Sequence, residues 1–300
     1  MRIRYSFVID ENPRFLREGE AFLRTLLGAG VPGCDVVAQV TARSGAAGRS
    51  LAARFGVRAI ELPLGPDQAF CNKINQLFTV AHEEFDVLAA CDTDLAILKP
   101  LAEIARRDAV RARRVDDENP PFNVLENVRA FLGVRECPAL IAPGCAPQGK
   151  TYALNCNGGL LLIPRQYLQP LGEAWLRYAA SLVDHRSLLG DWVNHIDQVS
   201  WAFAMLELRL PFEELPIEYN FPTPLARKIP AGTHVRPVVL HYHRKINGRG
   251  RIRRTGVRQV DSAIRQANRH LSDGSLLSRM MRAGWSILAR AAASAGAEGQ

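Results

Sequence analysis

Residues 85–98 read FDVLAACDTDLAIL, and the rest of the chain is organised around this stretch. Val87, Leu88, Ala89 and Ala90 form an unbroken apolar run, as expected of a strand buried on both faces of a sheet. Asp92 and Asp94 then stand where that strand leaves the sheet. Ligands of open α/β sheets collect outside the carboxyl ends of the strands. Two carboxylates separated by one threonine at such a place can present a divalent cation to a polyphosphate. A D-x-D pair is equally a turn-capping arrangement, and alone it does not choose between the two.

Working outward, short β-branched runs at 3–9, 35–42 and 57–64 alternate with helical periods at 18–27, 49–55 and 69–83. That alternation predicts strands covered by helices, an α/β fold. Downstream the pattern predicts a strand over 109–113, a helix over 124–132 and a Pro/Gly-rich loop over 138–149. A strand over 152–163, interrupted by NCNGG, follows, then helices over 168–182 and 198–208 and strands over 213–219 and 236–242. Beyond residue 244 come a basic glycine-containing loop, a helix over 260–269 and an amphipathic helix over about 276–293, in which Leu277, Met280, Met281, Ile287 and Leu288 oppose Arg279, Arg282 and Arg290.

Three further segments carry groups suited to chemistry. In NCNGGLLLIP, residues 155–164, the Asn157 amide can donate and accept, while Gly158 and Gly159 permit close approach of a sugar or a phosphate, or an unusual backbone angle. A strand bulge without a ligand explains the glycines equally well. In HIDQVSWAFAM, residues 195–205, Asp197 and Gln198 open a helix, where Asp197 either caps it or faces a reacting sugar. In VVLHYHRKING, residues 238–248, His241 and His243 would share one face of a regular strand. A neutral imidazole there can complete a metal shell begun by two carboxylates, and Lys245 can neutralise phosphate.

The composition fits a large soluble core: 300 residues, 47% hydrophobic and 23% charged. Disorder throughout and a disulfide-stapled miniprotein are excluded. The net charge of +8 is unevenly distributed, because residues 244–300 hold 12 basic and 3 acidic side chains and the preceding part is nearly neutral. Cys34, Cys71, Cys91, Cys137, Cys145 and Cys156 form no C-x-x-C pair and read as small buried hydrophobes of a reducing compartment. No run approaches the roughly 20 apolar residues of a membrane span. Cytoplasmic residence is expected, with peripheral attachment at the inner face of a membrane as a variant.

Taken together, the four segments resemble the nucleotide-diphosphate-sugar glycosyltransferases of the GT-A fold, most like glycosyltransferase family 8 and its relatives. The resemblance runs from Ile3 to about Lys245. It implies a Rossmann-like mixed sheet flanked by helices over 1–245, followed by a basic helical extension over 246–300. It also implies that Val8, Ile9 and Asp10 contact the nucleotide base, that Lys73 in CNKINQL supplies a cation, and that Asp92, Asp94 and His241 hold Mn2+ or Mg2+. By the same resemblance Asn157, Gly158 and Gly159 form the donor-sugar motif, and Asp197 and Gln198 lie at the reacting centre. The chain departs from the family in two places. Lys245 comes early relative to an H-x-x-G-x-x-K pattern, with Asn247 and Arg249 nearer its lysine, and Pro164 follows the donor-sugar strand where an asparagine is frequent.

The implied reaction is metal-dependent glycosyl transfer, with retention, from a nucleotide-diphosphate sugar, most simply a UDP-sugar, to a hydroxyl of a glycan, a lipid-linked saccharide or a small acceptor. A sugar nucleotidyltransferase or a non-catalytic nucleotide-sugar-binding protein is the alternative. Nucleotidyltransferases usually carry a glycine-rich basic loop after the first strand, and here that place reads DENPRFLREGE. For the basic tail three partners are considered. Nucleic acid is the weakest, since RGRIRR lacks aromatic interleaving or a binding motif. An anionic membrane surface and simple packing of the last helix on the core are the others.

Overall fold

The structure, a computed structural model, describes residues 1–229 and 234–272. The helix expected over 276–293 lies outside the described residues. In chain order the elements are β1 (Ile3–Ile9), α1 (Pro13–Gly28), β2 (Val36–Thr41), α2 (Gly45–Arg54), β3 (Arg58–Leu62), α3 (Gln76–Val80), β4 (Val87–Cys91), β5 (Leu95–Ile97), β6 (Val110–Arg114) and α4 (Phe122–Phe131). There follow β7 (Leu140–Ile141), β8 (Thr151–Tyr152), β9 (Cys156–Pro164), α5 (Leu168–Asp184), α6 (Ile196–Leu208), β10 (Phe212–Glu214), β11 (Phe221–Pro222), β12 (Val239–His241) and α7 (Arg258–Ser272).

Seven strands form one sheet in the order β10-β6-β9-β4-β1-β2-β3. The β1 to β4 side is parallel, and β9 runs antiparallel between β4 and β6. Side chains that alternate along each strand build two cores on opposite faces. Val87, Ala89, Cys91, Leu160 and Leu162 pack on the α1 and α2 side, while Leu88, Ala90, Leu161 and Ile163 pack on the side that holds Trp175 and Trp201. This two-sided burial explains why the strand at 87–91 reads as an apolar run rather than an alternating one.

Several boundaries differ from the sequence expectation for local reasons. α1 begins five residues early because Asn12 caps it, its side chain accepting from the Arg14 N–H, and Pro13 fits the first turn. The helix expected over 69–83 is instead a 3-10 segment, Phe70–Asn75, followed by the short α3. The strand expected to run on through CDTDLAIL breaks after Cys91, and β5 joins a second sheet, β11-β12-β5. Ile196 precedes Asp197 in α6, so Asp197 lies within the first turn rather than at the cap. Cys71, Cys91 and Cys156 are buried as expected, whereas Cys34 and Cys137 are exposed.

Residues 246–272 pack against the second sheet. Ile252, Val260, Ile264 and Ala267 share a cluster with Ala96, Phe221, Leu240 and Tyr242. The basic loop is tied to α7 by Asp261, which accepts from the N–H groups of Thr255 and Gly256, and by Asn268, which exchanges two hydrogen bonds with the Ile252 backbone. Ile264 is fully buried in that cluster. Ile264→Ala is therefore expected to lower the unfolding free energy of the whole chain by about 2–5 kcal/mol, read from denaturant unfolding. An unchanged midpoint would show that α7 adds nothing to the core.

Candidate functional site

The register of the central strands assembles the site. Cys91 pairs with Leu160, so the next residue on β4 meets the residue before it on β9, and the Asp92 N–H donates to the Gly159 carbonyl at 2.8 Å. The D-x-D and NCNGG segments, more than sixty residues apart in sequence, thus meet edge to edge. In the second sheet His241 pairs with Leu95, which brings its ring beside Asp94, with Nε2 3.2 Å from Oδ1.

Lys73 reaches this junction from the 3-10 segment. Its Nζ lies 2.7 Å from Asp92 Oδ1 and 3.1 Å from Asp197 Oδ2, and donates to the Gly158 carbonyl at 3.3 Å. Burial works against the ammonium, but the Asp92 and Asp197 carboxylates outweigh it and hold its pKa above the usual lysine range. The glycines are explained by these approaches. A Cβ on Gly158 would sit 3.0 Å from Lys73 Nζ, and one on Gly159 would sit 2.6 Å from His241 Cε1. Gly159 thus makes room for the imidazole, which a bulge alone would not require.

His241 is oriented from behind. Its Nδ1 lies 3.0 Å from Asn220 Oδ1, the partner that makes Nδ1 the protonated nitrogen and leaves Nε2 toward Asp94. Asn220 in turn donates to Asn157 Oδ1 at 3.3 Å, and the same oxygen accepts from the Gly159 N–H at 2.9 Å. Burial disfavours the imidazolium, but Asp94 raises the His241 pKa. For Asp94 burial acts upward, yet the neighbouring His241 charge holds the carboxyl below its usual range. His243 stacks on His241 at 3.7 Å between ring centres, and burial, with repulsion from His241, lowers its pKa to about 3. The ligand atoms of Asp94, His241 and His243 all lie within 4.8 Å of one another. This carboxylate and imidazole donor set suits a divalent cation.

A pocket of about 290 Å³ opens onto Asp92 and Asp94. Val8, Asp10 and Lys73 line it. Ile9 does not: strand alternation turns its side chain into the core, where it is fully buried, and its carbonyl accepts from Ser44 Oγ. Asp10 is braced by Thr41 Oγ1 and Asn72 Nδ2, each donating at 2.8 Å. Gln198 donates to the Asn119 carbonyl at 2.5 Å. Lys245 is exposed and lines a different groove with Arg227 and Arg253, whereas Arg244 lines the Asp92 pocket.

Sequence reasoning missed several lining groups. Arg14, Phe15 and Glu18 reach the pocket because α1 starts at Pro13, and the Asn-Pro helix start at 12–13 was a readable signal. Phe70 lines the rim with an exposed ring. Asp116, whose burial lifts its pKa to about 6, accepts from Asn157 Nδ2 at 3.5 Å. Nothing local in the sequence marks Asp116 or Asn220, since their partners come from distant strands.

No protein-family model and no curated protein matches the chain. Solved structures do. An active-site Gln-to-Glu mutant of LgtC superposes at a TM-score of 0.51 with 16% identity, over 88% of this chain and 95% of that one. The galactosyltransferase LgtC in complex with donor and acceptor sugar analogs superposes at 0.50 with 13% identity, over 90% and 95%. The fold is the GT-A fold. Within this GT-A architecture, the mixed sheet flanked by helices agrees with the sequence expectation, and the pocket lies at the carboxyl end of its parallel strands.

Glu18 supplies a pH-dependent test of the pocket wall. It is almost fully buried, accepts from Thr93 Oγ1 at 3.3 Å, and is raised to about 7 by burial and by the Asp94 charge. A carboxyl raised in the folded state costs nothing below its unfolded value of about 4.3. Stability is then lost as the pH rises from there through about 7. Glu18→Gln should match the native chain in thermal unfolding near pH 4 and exceed it near pH 8. Parallel pH profiles for the two proteins would contradict this.

Proposed function

We propose that the protein is a metal-dependent glycosyltransferase that moves a sugar, with retention, from a nucleotide-diphosphate sugar to an acceptor hydroxyl. The observation that carries the reading is the Asp92 to Gly159 backbone contact, around which the D-x-D pair, Lys73, Asp197 and the Asn157 strand converge on one cleft. Phe15, Phe70 and Val8 offer apolar surface for a nucleotide base, and Arg14 and Arg244 offer charge for a diphosphate. Asp92, Asp94 and His241 are the proposed metal ligands, Asp92 sharing its carboxylate with Lys73. These residues would hold a divalent ion, Mn2+ or Mg2+, which would supply positive charge against the leaving diphosphate.

The chain's own groups orient the rest. Lys73 adds positive potential beside the leaving group and holds the Asp197 carboxylate in place. Asn157, Asp197 and Gln198 fix the sugar. The bond from the anomeric carbon to the phosphate oxygen breaks as the acceptor oxygen bonds the same carbon. The acceptor proton passes to the departing diphosphate on the same face. Galactosyltransferase LgtC, crystallised with donor and acceptor sugar analogs, supports a donor and acceptor pair of this kind. UDP-sugars are the first donors to test.

Nucleoside diphosphate release from a panel of sugar donors with Mn2+ should be measured for the native chain and for Asp94→Ala and Asp197→Asn. Asp94→Ala is expected to lose metal-dependent turnover, and Asp197→Asn to lower turnover by about a hundredfold or more while nucleotide affinity holds. Pyrophosphate release from a sugar phosphate and a nucleoside triphosphate would instead indicate nucleotidyl transfer.

The acceptor side of the proposal includes an anionic membrane surface. No helix among the described residues is long and apolar enough to cross a membrane. Arg251, Arg253, Arg254, Arg265 and Arg269 line one open groove, and none forms a salt bridge among the described residues. An unneutralised cluster of this kind attracts anionic lipid by about 1 kcal/mol per side chain. The full chain should co-sediment with anionic vesicles and be released by salt, and Arg251→Ala with Arg253→Ala and Arg254→Ala should weaken it. Equal sedimentation with neutral vesicles would reject the surface.

A further inference from the structure

The strand that delivers His241 ends abruptly. His243 and Arg244 both adopt left-handed backbone, at φ of 43° and 66°, a region that residues other than glycine seldom enter. Strained conformations of this sort persist where the surrounding structure holds them, often at binding sites. Here the turn folds the His243 ring onto His241, with the rings 15° from parallel. In a continuous strand the two side chains would stand a full two-residue repeat apart, nearly 7 Å. The backbone distortion therefore brings a second imidazole to the Asp94 carboxylate. The His243 ring nitrogens have no hydrogen-bond partner among the described residues, whereas His241 is held by Asn220 on one side and Asp94 on the other.

We propose that His243 is a further protein ligand of the divalent-cation site, grouped with Asp94 and His241, and that the two imidazoles, added to the Asp92 and Asp94 carboxylates, make the site select a first-row transition-metal ion over Mg2+. The proposal rests on the metal-dependent reading given above. Imidazole nitrogen favours first-row transition metals, with affinity rising along that row, whereas Mg2+ prefers oxygen ligands and dehydrates reluctantly. Asn220 supports the set from behind by fixing which His241 nitrogen faces the ion.

The experiment is a titration of the full chain with Co2+, followed by visible absorption and calorimetry, and with Mg2+ by calorimetry, for the native protein, His243→Asn and Asp94→Asn. Asparagine tolerates left-handed backbone and so keeps the turn, and near-UV circular dichroism checks the fold. The native chain should bind Co2+ more tightly than Mg2+. His243→Asn should lose at least about tenfold in Co2+ affinity and change the Co2+ spectrum, with Mg2+ affinity little altered. Native Co2+ affinity and spectrum in His243→Asn, together with loss in Asp94→Asn, would overturn the role of His243 and leave the metal reading standing. An equal fall for both ions would overturn the selectivity. Failure of the native chain to bind either ion, or undiminished binding in both variants, would overturn the metal reading as well.

Discussion

The antiparallel pairing of β9 with β4 is the constraint on which the site depends. Once Cys91 lies against Leu160, the two strands can only end with Asp92 beside Gly159. A slip of one residue would exchange the faces of every side chain on β9 and put Leu161 and Ile163 where Leu160 and Leu162 now pack. Both faces are buried by different helices, so the register is held by two cores at once. The precision of the polar cluster is inherited from apolar packing that takes no part in chemistry.

Around that junction each carboxylate of the D-x-D has a basic partner. Lys73 bridges Asp92 and Asp197, and His241 answers Asp94. Removing one member of such a buried set leaves an uncompensated charge, which costs more than the pair contributes. The glycines at 158 and 159 follow from the same crowding, because the lysine and the imidazole occupy the space that their side chains would need.

Much of this was legible in the chain itself. The apolar run at 87–91, the D-x-D, the NCNGG and the strand ending in His241 are local patterns, and each appears where strand alternation and turn chemistry put it. The helix start at Pro13 was also local, yet its consequence, Arg14, Phe15 and Glu18 along the pocket wall, needed the angle at which α1 crosses the sheet. Ile9 shows the converse. Its neighbours Val8 and Asp10 line the pocket, but the two-residue period of the strand sends Ile9 inward.

By itself the sequence determined the α/β class, the central strand and the residue types able to hold a cation and a phosphate, because periodicity and short motifs are properties of neighbouring residues. Tertiary structure alone decided which of those residues meet. It paired Lys73 with Asp92 and Asp197, set Asn220 behind His241, folded His243 back onto it, and moved Arg244 rather than Lys245 to the pocket. Those contacts join strands and turns far apart in the chain. They are set by register, crossing angle and a left-handed turn, none of which leaves a pattern in the order of residues.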